Sequence, residues 1–146
     1  MEDKSEVAAN KFSSGYNCAQ SVLYSFCDYL QLDKNLALKL ACGFGAGMGR
    51  NQEVCGAVSG GILVIGIKHG RGINEDRQVT ENTYKLTQEL MNRFEQEHGS
   101  CVCRQLLDEC NLLTEEGQKR FRENDYFNKI CIKCVQSVVK ILEKIC

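Results

Sequence analysis

The chain has 146 residues, 18 Lys+Arg against 19 Asp+Glu, and 10 cysteines, a length that builds one ordinary hydrophobic core rather than two. A formal net charge of −1 lacks the uniform attraction that nucleic acid or an anionic membrane surface requires, so neither is expected as a partner. With 43% hydrophobic and 25% charged residues the composition is that of a folded globular protein, and residues 1–146 read as a single domain.

No proline interrupts the chain, and apolar residues recur at three- and four-residue spacing. The expected fold is all-α, a compact bundle of about six to eight helices with a Gly-rich loop before the central one. A first helix is expected within Glu2 to Phe12, ending before Gly15. A second spans Cys18 to Leu30 with Asn17 as N-cap, and a third spans Lys34 to Cys42 with Asp33 as cap and Leu36, Ala37 and Leu40 turned inward. Glycines alternate in Gly43-Phe44-Gly45-Ala46-Gly47-Met48-Gly49-Arg50, a pattern that costs about 1 kcal/mol per glycine in a helix and therefore reads as a loop.

A fourth helix, Gln52 to Lys68, is apolar nearly all round and so buried, with Gly56, Ala57, Ser59 and Gly60 as a small-residue face. The fifth element, Glu75 to His98, carries Val79, Thr83, Leu86, Leu90 and Phe94 on one stripe and reads as a surface helix stopped by Gly99. Ser100 caps a short helix through Leu107, Thr114 another through Phe121, and a last helix runs from Asp125 to the end. The stretch from Val54 to Ile67 is too short to span a membrane, and Met1 to Glu6 has no apolar leader region, so a cytoplasmic location is expected, where clustered thiols point to metal binding or redox chemistry.

The cysteines are not equivalent. Cys18, Cys55, Cys101 and Cys103 fall near helix starts, where free amides and the helix dipole stabilise a thiolate. With no metal bound, Cys18 and Cys55 are expected to be alkylated faster at pH 7 than Cys27 or Cys42. Cys131 and Cys134 share a face at i,i+3, a spacing that suits a shared metal or a disulfide. Cys27, Cys42 and Cys110 read as core filling, Cys146 as frayed, and His98 and His69 as helix-end histidines rather than ligands. The glycine run is no phosphate loop, because Arg50-Asn51 stands where Lys-Ser/Thr is needed and a helix precedes it.

Gly15-Tyr16-Asn17-Cys18-Ala19-Gln20-Ser21, the glycine run and Cys55-Gly56-Ala57-Val58-Ser59-Gly60 together resemble the redox-active family named for a C, CGAxxG, C, C cysteine pattern, over most of the chain. Carried over, the four cysteines are Cys18, Cys55, Cys103 (in Cys103-Arg104-Gln105-Leu106-Leu107) and Cys131, with Cys101 and Cys134 as substitutes. The resemblance implies bacterial or archaeal origin and a redox protein, an oxidoreductase or electron-transfer component. Its four cysteines would cycle between dithiol and disulfide or bind an iron–sulfur cluster or other metal. The alternative is a non-enzymatic metal-binding or helical interaction module. The same likeness implies an oxidoreductase or transporter-associated partner and leaves a homo-oligomer open.

Cys18 and Cys55 are expected to meet across the second and fourth helices, whose entrance ends both occupy. The helix from Glu75 to His98 is expected to carry no functional cysteine or ligand.

Overall fold

The computed structural model describes residues 2–146, and among them α-helices and turns account for all the regular structure, with no strand. Helix α1 (Lys4–Ser13) starts where Asp3 accepts the Ser5 N–H at 2.9 Å, and it turns Ala8 and Phe12 into the core. Helix α2 (Cys18–Ser25) starts at a reciprocal cap: Asn17 Oδ1 accepts the Gln20 N–H and Gln20 Oε1 accepts the Asn17 N–H, each at 2.9 Å.

The helix expected to continue to Leu30 breaks at Phe26. Ser25 Oγ donates to the Val22 carbonyl at 2.7 Å, and the Phe26 N–H bonds instead to Leu23. A single turn, α3 (Cys27–Leu30), follows and closes on left-handed Gln31.

Asp33 caps α4 (Lys34–Ala41) through the Leu36 N–H. This helix buries Ala37 and Ala41, whereas Leu36 and Leu40, expected inside, are 48% and 49% exposed. The alanine edge, one residue and so about 100° away from the leucines, is the one that fits against the bundle.

Helix α5 (Gly56–His69) is the central one, buried from Gly56 to Gly61 and again at Val64 and Ile65. It starts at Gly56 and not at Gln52, because Gln52 is left-handed and residues 53–55 run along the segment 101–103: Val54 bridges Val102 in antiparallel fashion, Cys55 N–H donates to the Cys101 carbonyl, and Cys103 N–H donates to the Glu53 carbonyl, both at 2.7 Å. The small-residue face does what its composition allows. A Cβ on Gly60 would sit 2.7 Å from the Ala19 carbonyl oxygen, and one on Gly61 would meet Val138 and Leu90, so α2 and the two helices behind α5 all pack at close range.

Helix α6 (Arg77–His98) is capped by Asp76 and ended by Gly99 at φ +88°. Only Leu90 and Phe94 of its stripe are fully buried; Glu81 and Gln88 face solvent, and the helix contains no cysteine. Two short helices follow, α7 (Cys103–Leu106) and α8 (Glu115–Glu123), the latter capped by Thr114 at the Gly117 N–H. The expected last helix is divided into a π-helical segment, Phe127–Cys131, and α9 (Ile132–Ile145), which buries Val135, Val138, Val139 and Leu142.

The core has two parts. The larger gathers α1, α2, α5, α6 and α9, and the smaller is Cys103, Leu107, Cys110 and Leu112. No helix of the described residues is long and apolar enough to cross a membrane.

Candidate functional site

Between the two parts of the core lies a cavity of about 300 Å³ that draws its lining from both. Five thiols line it, Cys18, Cys55, Cys103, Cys131 and Cys134, in walls made of Phe12, Leu106, Leu107, Leu112, Phe127 and Ile130. Phe12 and Phe127 stack with ring centroids 4.3 Å apart, closing one wall. The four cysteines singled out in the sequence thus come from four separate segments to one place, and Cys134 joins them.

Each is positioned by a local device. Cys18 is the first residue of α2, fixed by the Asn17–Gln20 cap. Asn17 Nδ2 donates to the Cys42 carbonyl at 2.8 Å and Gln20 Nε2 to the Leu38 carbonyl at 3.0 Å, which ties this helix start to the end of α4. Cys55 is the N-cap of α5. The glycine after it is required by the site, since a Cβ on Gly56 would collide with Cys18 Sγ and lie 2.8 Å from the Phe44 carbonyl oxygen. Cys18 and Cys55 therefore meet across α2 and α5 as expected. Cys103 opens α7 and is drawn beside Cys55 by the bridge between residues 53–55 and 101–103, a pairing that nothing in the helical periodicity indicates. Cys131 is the last residue of the π-helical segment, and Cys134 lies in the first turn of α9. Such local π-helical segments recur at functional sites.

The glycine run is not the loop its composition suggests. Cys42–Phe44 form a 3₁₀ turn, and a hydrogen-bonded turn at Gly45–Met48 winds left-handed. Five consecutive residues have positive φ: Ala46 (+53°), Gly47 (+66°), Met48 (+69°), Gly49 (+63°) and Arg50 (+70°). For Ala46, Met48 and Arg50 this conformation costs about 1–2 kcal/mol each. It is held by bonds from Gly49 N–H to Gly45 O (2.9 Å), Gln52 N–H to Ala46 O (3.2 Å) and Glu53 N–H to Gly47 O (3.0 Å). The turn brings the Ala46 N–H onto the Cys18 sulfur.

The next residue but one after the turn, Gln52, is buried. Its Nε2 donates to the Cys110 carbonyl at 2.6 Å and its Oε1 accepts the Leu112 N–H at 2.8 Å. Sequence reasoning passed over Gln52; a lone glutamine next to a glycine run carries no signal.

The electrostatics reverse the expectation for the helix starts. The amides are in place: Ala46 and Ala19 N–H groups act on Cys18, and those of Ala57 and Val58 on Cys55. Burial nevertheless wins. It pushes the Cys18 thiol up to about 12, with the neighbouring Cys55 adding to the effect, and the Cys103 thiol also to about 12, with Cys55 and Cys18 adding. Cys55 is raised well above its ordinary value, first by the hydrogen-bonded Cys134 thiol and then by burial. Cys131 is raised by burial and by the other three. The cysteines expected to be reactive thiolates are protonated thiols in the free protein.

The remaining cysteines sort differently from expectation. Cys27 and Cys110 are core residues as expected, donating to the Leu23 carbonyl at 3.6 Å and the Gly117 carbonyl at 3.0 Å. Cys42, expected in the core, is exposed, and Cys146, expected to fray, packs partly buried against the larger core. Cys101 is buried, donates to the Met91 carbonyl at 3.4 Å and does not line the cavity, although burial raises its thiol to about 11. His98, expected in solvent, is partly buried with Nε2 2.8 Å from Ser137 Oγ, and burial lowers its pKa.

All ten cysteines are free thiols. Among the described residues no group of three or more His, Cys, Asp or Glu side chains gathers closely enough to hold a metal ion.

A helical bundle with a thiol-lined cavity at the seam of its core defines a cysteine-centred protein of the redox-active class. Over residues 16–145, nearly its whole length, the chain matches the family described as "Putative redox-active protein (C_GCAxxG_C_C)", and it belongs to that family. No curated protein and no solved structure matches it.

Proposed function

We propose that Cys18, Cys55, Cys103 and Cys131 hold an iron–sulfur cluster and that the protein is an electron-transfer component. The observation that supports this reading is the arrangement of the thiols: four, from four chain segments, surround one cavity without converging on the point that a single ion would occupy. A polynuclear centre suits a set spread around a cavity, and such a cluster, when bound, supplies one-electron chemistry.

The donor set fits. Binding deprotonates a coordinating thiol outright, so raised thiol pKa values are no obstacle to ligation, though they are one to a freely nucleophilic thiolate. N–H groups from Ala46, Ala19, Ala57 and Val58 already face two of the four sulfurs, and hydrogen bonds to ligating sulfurs are among the means by which a protein sets a cluster's potential. Apolar side chains make up most of the walls around the sulfurs.

Anaerobic purification, or reconstitution with iron and sulfide, followed by elemental analysis and visible spectroscopy, tests this. Iron and sulfide in stoichiometric amounts, lost on changing Cys18, Cys55, Cys103 or Cys131 to Ser but kept on changing Cys42, support it. A colourless protein that takes up neither would overturn it.

A second reading has its own support in the Cys55 thiol, whose largest perturbation comes from Cys134. These two would form the redox pair of a dithiol protein, releasing two electrons and two protons to an external disulfide as one S–S bond forms. A fall of two in the native thiol count on oxidation, blocked by Cys134→Ser, distinguishes it from the cluster.

A further inference from the structure

The cavity lining combines five thiols, the side chains of phenylalanine, leucine and isoleucine, and two arginines, Arg50 and Arg122, which are exposed. Among the described residues neither arginine forms an ion pair or a side-chain hydrogen bond, whereas Arg93 pairs with Glu89 and Arg120 with Asp108. No carboxylate lines the cavity to neutralise the two cations.

Neither guanidinium is among the main influences on the cavity thiols. The charges that act most on Cys18, Cys103 and Cys131 are the other thiols and, at Cys103, Arg104. Two exposed cations on the lining therefore serve something other than the thiols themselves. Arg50 ends the left-handed turn at φ +70°, a conformation that an arginine adopts only where the surroundings impose it. The same turn that delivers an amide to Cys18 thus fixes the backbone of this lining residue.

We propose that the cavity binds a small organic anion with an apolar body, its carboxylate held by Arg50 and Arg122 and its apolar part lying between the aromatic and aliphatic walls. Two guanidiniums on the lining of one cavity favour a planar carboxylate, which accepts paired N–H bonds. A volume of about 300 Å³ is at the lower end of the range for ligand sites and so admits a molecule of a few carbon atoms beyond a ring. The inference names the ligand class of the site proposed above and rests on that site being the functional one, but the anion recognition itself needs no cluster.

The test uses the full chain as isolated, with its iron content recorded. The chain contains no tryptophan, so binding is followed by amide shifts in heteronuclear NMR, with phenylacetate as probe, phenylacetamide as its uncharged counterpart and inorganic phosphate as an anion lacking an apolar body. Phenylacetate should bind at least tenfold more tightly than either control, with shifts at Ala46, Leu112 and Phe127, and Arg50→Gln with Arg122→Gln should remove that preference while leaving the spectrum folded. Equal binding of acid and amide, phosphate binding as tightly as phenylacetate, an unaltered preference in the double variant, or no binding at all would each overturn the proposal. A protein that takes up neither iron nor sulfide on reconstitution and still shows the preference would overturn the cluster and leave the anion site standing.

Discussion

Raising the pH of reduced, metal-free protein should unfold it well before its thiols titrate in the native state. The thiols of Cys18 and Cys103 ionise near 9 when exposed and at about 12 in the fold. A folded-state pKa above the unfolded one contributes stability that is complete below pH 9 and is lost as pH rises through the window from 9 to 12. Within it the unfolded chain has released two protons that the native state keeps, so stability falls by about 2.7 kcal/mol per pH unit. Cys55 and Cys131 are shifted the same way, which brings the slope toward about 5 kcal/mol per unit when all four retain their protons. Against a total of about 5–15 kcal/mol, the midpoint should fall one to three units above pH 9. Far-ultraviolet circular dichroism and thiolate absorbance followed together should change at one midpoint, and Cys18→Ser with Cys103→Ser should move that midpoint upward. Thiolate absorbance beyond the contribution of exposed Cys42 that rises near pH 9 while the helical signal stays intact would refute the reasoning, because it would mean the cavity thiols are not buried.

In native, metal-free protein at pH 7, Cys42 should be alkylated first and Cys27 and Cys110 last, since Cys42 is exposed and the others are enclosed; mass-spectrometric mapping that found Cys18 or Cys55 ahead of Cys42 would restore the helix-start argument. Gly56→Ala should cost about 1–3 kcal/mol, as overpacking does, and should displace Cys18, which its methyl would strike; an unchanged denaturation midpoint together with an unchanged thiol reactivity counts against the close approach. Gln52→Leu leaves the Cys110 carbonyl and the Leu112 N–H without partners and should cost about 1–3 kcal/mol for each group left unsatisfied, read from urea unfolding. Glu81→Ala and Gln88→Ala should each stay within about 0.5 kcal/mol of the parent, because both face solvent on α6.

What the sequence reveals of this fold is what local chemistry determines. Asn17, Asp33 and Thr114 accept from their own helix starts, and the glycines after Cys55 bring α2 and α5 together because nothing else could stand between them. What it hides depends on partners far along the chain. Leu36 and Leu40 have the same apolar character as any core leucine, and only the position of α2 decides that the alanine edge of α4 faces inward. The left-handed turn contains Ala46, Met48 and Arg50, residues that would never be assigned that conformation singly; it exists because Gln52 and Glu53 bond back to it and because Gln52 is anchored to Cys110 and Leu112, some sixty positions away. The bridge that sets Cys103 beside Cys55 is one residue pair long, below any period that alternation could show.

The site shows the same division, with a magnitude to decide it. Position at a helix start names Cys18, Cys55, Cys101 and Cys103, of which Cys18, Cys55 and Cys103 line the cavity and Cys101 does not. The inference from that position to a thiolate fails. A charge at a helix N-terminus gains about 0.3–1 kcal/mol, up to about 2 in the best geometry, whereas a shift from 9 to about 12 at Cys18 is a net penalty of about 4 kcal/mol on the charged form, with the amides already counted in it. Burial in an apolar cavity with other thiols for neighbours exceeds the helix start severalfold. The amides therefore do not make free thiolates. If the proposed cluster binds, they face sulfurs that have given up their protons to it.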